Sequence, residues 1–204
     1  MTYSGEDPWT RGWLAIGVGS GSIASAGPAP SASRDAFAFS IDTGYRINRQ
    51  WGLGLEYGVL APNGGCGGHH CTPADPDFAP DFSHWFLLAE QRPGDGGLRV
   101  RAGVGVSSMC YRYYRARDSG WHRFWQALIF DDDQDEGSIS WHCKSLHALG
   151  AAASIGYQWA LPDSLSSVGL QLRGEAANFA ESSTAGTPAF HHRAVMLLVQ
   201  FDIN

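Results

Sequence analysis

The sequence predicts an all-β chain that forms one domain over residues 1–204, an eight-stranded antiparallel up-and-down transmembrane β-barrel with long extracellular loops. Three observations predict it. Segment after segment alternates between large apolar residues and a second face of Gly, Ala and Ser carrying a few charges, which is the period of a strand with two different surroundings. The links between these segments run long, short, long, short, long, short, long, the pattern of a barrel with short turns on one side of a membrane and loops on the other. Tyr45, Trp51, Tyr157, Trp159 and Phe201 fall on the large-residue face near the short turns, where a membrane interface places an aromatic girdle.

The totals agree with that class. Hydrophobic residues make up 44% of the 204, charged residues only 17%, and Gly reaches 26, a balance foreign to a water-soluble domain of this length. No apolar run reaches the ~18 residues of a transmembrane helix, so a spanning chain must do so by strands. A net charge of -6 and a pI near 5.7 provide no electrostatic footprint for nucleic acid. Residues 1–12 read as an N-terminal extension. Its MTYSGEDPWT lacks a basic segment followed by an apolar one, and the expectation is that an export signal has been removed.

The first strand is read at Trp13 to Ser22, with Leu14, Ile16 and Val18 opposite Ala15, Gly17 and Gly19. Trp13 falls on the small-residue face, away from the girdle. After a loop over 27–35 comes the clearest stretch, Ala36 to Leu60. There Phe37, Phe39, Ile41 and Tyr45, then Trp51, Leu53, Leu55, Tyr57 and Val59, alternate around an Asn48-Arg49-Gln50 turn, which makes a hairpin. A Pro- and Gly-rich loop follows. The fourth strand, Phe82 to Gln91, is the least clean, because Phe86 and Leu88 are apolar on the face opposite Trp85 and Leu87. A turn at Pro93 to Gly97 leads to the fifth, where Leu98, Val100, Ala102, Val104 and Val106 alternate with Arg99, Arg101, Gly103 and Gly105. Residues 111–145 are read as the longest extracellular loop. The sixth strand runs from about His147 to Leu161, the seventh is read at Val168 to Glu175, and the eighth at Val195 to Ile203.

In this pattern the chain resembles the small eight-stranded outer-membrane barrels, the OmpA/OmpX-like family. The likeness covers the chain from Trp13 onward and lies in strand number, loop alternation and girdle, with the barrel-only, OmpX-like form the nearer match. The family's final Phe is replaced by Phe201-Asp202-Ile203-Asn204. The resemblance implies a bacterial outer-membrane location, contact with outer-membrane lipid and lipopolysaccharide, and loops available to a protein or host-surface partner.

On the small-residue faces stand Asp42, Arg46, Glu56, Glu90, Arg99, Arg101, Arg173 and Glu175. Charges inside a narrow barrel must be paired, so these residues predict a salt-bridge network that plugs the lumen. A proton or ion path, and hence a small pore, is the functional alternative. Cys110 and Cys143 flank the longest loop with matching parity, and Cys66 and Cys71 bracket Gly67, Gly68, His69 and His70; both pairs are disulfide candidates. For the CGGHHC segment a metal site is the competing reading. Asp131, Asp133 and Asp135 resemble the start of a calcium loop, but Gly137 comes one place late. Tyr111, Tyr113, Tyr114, Trp121, Phe124, Trp125 and Trp141, interleaved with arginines, make a candidate loop binding surface, or pack on one another to stiffen it. No cofactor, metal or catalytic residue is expected. The enzymatic alternative is a lipid A-modifying hydrolase: Ser145 and His147 lie two apart on one face, resembling the Ser and His of outer-membrane lipid A deacylases in reversed order.

Overall fold

A computed structural model describes residues 12–26, 34–63, 80–93, 97–116, 140–162, 164–181 and 189–203. Strands β1 (Gly12–Ala26), β2 (Arg34–Arg46), β3 (Trp51–Pro62), β4 (Phe82–Gln91), β5 (Leu98–Ala116), β6 (Ser140–Ala160), β7 (Ser166–Phe179) and β8 (Phe190–Ile203) form one closed antiparallel barrel in sequence order. Closure comes from β1, which pairs with β2 on one side and β8 on the other. No strand of this sheet is left with an open edge.

Turn chemistry sets the register. Asn48 Oδ1 accepts hydrogen bonds from the backbone N–H groups of Gln50 and Trp51, both at 2.8 Å, so the short polar link closes on itself. Arg46 then lies opposite Gly52 and Asp42 opposite Glu56. At the β6–β7 turn the Leu161 N–H donates to the Ser166 carbonyl at 3.0 Å. A one-residue slip in either hairpin would turn the lumen side chains of the slipped strand outward.

Alternation decides what is inside. Along β8 the pattern is strict: Phe190, His192, Ala194, Met196, Leu198, Gln200 and Asp202 are buried, and the residues between them are exposed. The outward set is the large apolar one, with Leu149 84%, Leu87 67%, Val104 64% and Leu53 56% exposed. The shortest strand has 10 residues, enough for a tilted strand to cross the hydrocarbon core of a bilayer.

Several strands extend beyond their expected ends, because ladder pairing continues into sequence that lacks a clean alternation. The expected loop over 111–145 is corrected at both ends: β5 and β6 stay paired through Ala116 and Ser140, across a register shift between Cys110 and Arg112. That shift sets Cys110 opposite Ser145 and Cys143 opposite Tyr113, with the Arg112–Lys144 pair between them, rather than face to face. Cys110 is disulfide-bonded. Cys66 and Cys71, and the acidic run at 131–135, lie outside the described residues.

Candidate functional site: the filled lumen

The barrel interior is divided along its axis. Nearest the short turns Trp13, Glu90, Arg99, Gln158 and Asp202 fill the cross-section, and all are under 9% exposed. Toward the long-loop end the lining becomes apolar: Ile23, Leu60, Phe82, Met109, Phe179 and Phe190 pack as one cluster with Ala194 and Met196. Phe82 holds that cluster together, with ring centroids 6.1 Å from Phe190 and 6.2 Å from Phe179.

The charged part consists of two linked groups. In the first, Arg101 is central: its Nη1 donates to Asp42 Oδ2 at 3.1 Å, and its Nε and Nη2 both stand 2.7 Å from Glu90 Oε2. Asp42 also accepts from Trp13 Nε1 at 2.7 Å and Gln200 Nε2 at 3.0 Å. Arg99 Nη1 donates to Asp202 Oδ1 at 3.0 Å, and Asp202 also accepts from Gln158. Arg92, at the short-turn rim, donates to Glu90 Oε1 at 2.6 Å. These are charge-assisted bonds, and all but the one from Arg92 join groups buried from water.

The second group is centred on Arg173, which pairs with Glu56 and lies 3.5 Å from Glu175 Oε2. Two histidines complete it. His84 Nε2 is 3.1 Å from Glu56 Oε1, and His192 Nε2 is 3.1 Å from Glu175 Oε1. Each imidazole also stacks on a phenyl ring, His84 on Phe86 at 4.5 Å and His192 on Phe82 at 3.9 Å. Through Phe82, His192 joins the charged layer to the apolar one. Gly58 faces His84 across the β3–β4 ladder, and a Cβ at that position would meet the ring.

All eight charged residues singled out in the sequence stand on inward-facing positions, and seven of them take part in the contacts above; Arg46 is half-buried at the short-turn rim. Sequence reasoning missed Trp13, His84, His192, Asp202, Gln158 and Gln200. Parity was the available signal for Asp202, Gln200, Gln158 and His84, since each shares a strand face with a residue already assigned inward. Of the loop residues, Tyr111, Tyr113, Tyr114 and Trp141 are carried by the extended strands, whereas Trp121, Phe124 and Trp125 lie outside the described residues.

A cavity of about 10 Å³ bordered by Arg99, Arg101, Gln158, Gln171 and Gln200 has room for one water at most. Eight strands leave an interior that side chains fill. Planar bilayers containing the protein are therefore expected to show no stepwise conductance. Regular conductance steps would contradict a sealed lumen.

No family model matches the chain, and no curated protein matches it. Among solved structures it is similar to Ail, the attachment invasion locus protein of Yersinia pestis, in complex with the heparin analogue sucrose octasulfate, at 11% identity and a TM-score of 0.48 over 95% of this chain and 99% of that one. It is also similar to Neisserial surface protein A, at 14% identity and TM-score 0.46 over 94% and 96%. The N-terminal β-barrel domain of Pseudomonas aeruginosa OprF is matched at 13% identity and TM-score 0.40 over 94% and 97%. The likeness is one of fold alone.

Proposed function

We propose that the chain is an integral protein of a bacterial outer membrane, a sealed barrel that anchors long-loop segments at the cell surface for contact with a partner. The observation that carries the reading is the inversion of the usual burial rule. Asp42, Glu56, Glu90, Arg101, Arg173 and Asp202 are at most 3% exposed, while Leu14, Ile16, Leu53, Leu87, Val104, Leu149, Leu172 and Leu197 are 41–84% exposed. Contiguous apolar surface on that scale is unstable in water and stable in lipid. The girdle fits the same orientation: Tyr45, Trp51, Tyr157, Trp159 and Phe201 are all exposed on the outer face at the short-turn end.

The test is electrophoretic. Detergent-extracted protein, loaded unboiled, is expected to migrate differently from the boiled sample and to precipitate when detergent is withdrawn. Unchanged mobility together with a monomer in plain buffer would refute the membrane reading.

The surface-contact role rests on the loop chemistry, in which Trp121, Phe124 and Trp125 stand among Arg115, Arg117 and Arg123. Aromatic and Arg side chains are the usual anchors of recognition surfaces. Bacteria displaying the protein should adhere to cultured host cells. Those displaying Trp121→Ser/Phe124→Ser/Trp125→Ser should not, although this variant keeps the gel shift. Equal adhesion by the two strains would remove the loop from the proposal.

A further inference from the structure

Outside the lumen, one arrangement of side chains is suited to covalent chemistry. Ser108 on β5 lies directly opposite His147 on β6, and its Oγ is 2.8 Å from His147 Nδ1. Both project from the outer surface, His147 exposed and Ser108 half-buried. Ser83 on β4 lies opposite Ser108 on the other side, so Ser83, Ser108 and His147 form one outward row across three strands. The row stands near the long-loop end, above the apolar belt and at the opposite end from the girdle.

The pairing differs from the one suggested by spacing alone. Ser145 and His147 are two residues apart on one strand, yet the ladder gives His147 a serine from the neighbouring strand at hydrogen-bond distance. Directly opposite residues on one face bring their Cβ atoms within about 4.5–5.5 Å, so a short hydroxyl meets an imidazole there without distortion.

We infer that Ser108 and His147 form a nucleophile–base pair that cleaves acyl esters of membrane-resident lipids in the leaflet next to the long loops. This inference rests on the membrane location proposed above. With Nδ1 unprotonated, His147 accepts the Ser108 proton as Oγ attacks the ester carbonyl. The Oγ–acyl bond forms, the bond from carbonyl carbon to alkoxy oxygen breaks, and the proton passes from Nδ1 to the departing alkoxide. Water then attacks the acyl-serine with the same base, giving a free fatty acid and restoring Ser108. Ser83, the ladder partner of Ser108, would supply the hydroxyl that donates to the oxyanion. Among the described residues no carboxylate shares the row, so the pair acts as a dyad.

The surface below favours a long acyl chain. Directly below the row stand Val106 and Leu149, and beyond them Ala102, Ala151, Ala153, Gly174 and Ala176 adjoin one another across β5, β6 and β7. Together they form an apolar strip that runs from the row toward mid-barrel. An ester lipid with its carbonyl at Ser108 would lay its chain there.

The experiment uses the full chain in detergent micelles, with the gel shift recorded for every variant. An alkyl fluorophosphonate is the probe, and the modified peptide is read by mass spectrometry. Label is expected on Ser108 in the wild type and in Ser145→Ala, none in Ser108→Ala, and labelling roughly 100-fold slower in His147→Ala, the usual contribution of a positioned base. Dodecanoyl p-nitrophenyl ester should be hydrolysed faster than the butanoyl ester, and Ala153→Phe should reduce that preference. A folded, gel-shifting protein that takes no label, or is labelled equally in Ser108→Ala, overturns the dyad. Loss of the gel shift in the wild type would instead refute the membrane reading, whatever the probe does.

Discussion

Arg101→Met is expected to lower the unfolding free energy by about 3–5 kcal/mol, because it leaves buried Asp42 without its cation and takes one of three cations from Glu90. Arg101 is 3% exposed and reaches both Asp42 and Glu90, and through Glu90 its loss extends to Arg92 and Arg99. The attraction between such groups matters less to the sign than the cost of stranding one partner where water cannot solvate it. Urea unfolding in lipid vesicles, read by retention of the unboiled gel mobility, should give a lower midpoint at an unchanged slope. Removing the stranded charge as well, in Arg101→Met/Asp42→Asn, should recover more than half of the loss. If Arg101→Met alone costs under about 1 kcal/mol, the network is solvated and the lumen is wetter than the packing indicates.

Trp13→Ala should cost a similar amount, about 3–5 kcal/mol, for a different reason. The indole is 3% exposed and lies across the lumen over Gly44, Gly52 and Gly54. A Cβ on Gly52 would come 2.8 Å from Trp13 Cζ3, so the glycines form the seat for the ring. Its Nε1 also supplies one of Asp42's hydrogen bonds at 2.7 Å. Trp13→Phe keeps much of the packing and loses that bond, and is expected to cost about 1–3 kcal/mol. Gly52→Val should be damaging in the wild type and clearly less so when combined with Trp13→Ala, a coupling that independent sites would not show. Strict additivity in that cycle would mean the ring does not occupy the glycine seat.

Trp13 also shows why part of the lumen was not legible. On the small-residue face it looked like a misplaced girdle residue, because sequence alternation assigns a face without saying how much volume lies across the barrel from it. The space comes from Gly44, Gly52 and Gly54 on β2 and β3, and only the β1–β2–β3 register brings them under the indole. Phe86 and Leu88 pose the same problem on β4. Apolar on the face opposite Trp85 and Leu87, they blurred the period of that strand, yet they fill the lumen beside Gly103 and Gly150. His192 lay beyond the expected start of the eighth strand, so its parity was never read.

What the sequence by itself determined was the periodic part: eight strands, their order, the placement of the short turns, the face turned to the lumen and the charges on that face. Each follows from the two-residue period of a strand and from turn residues that act locally. What only the tertiary structure decided was which inward side chains meet. Arg101 with Asp42, 59 residues apart, and Arg99 with Asp202, 103 apart, are brought together by closure of β1 on β8 and by the stagger of all eight strands. The division of the lumen into a charged layer and an apolar one, and the meeting of Ser108 with His147, have the same origin. Periodicity acts within a strand, whereas contact across a barrel depends on the summed register of every strand between.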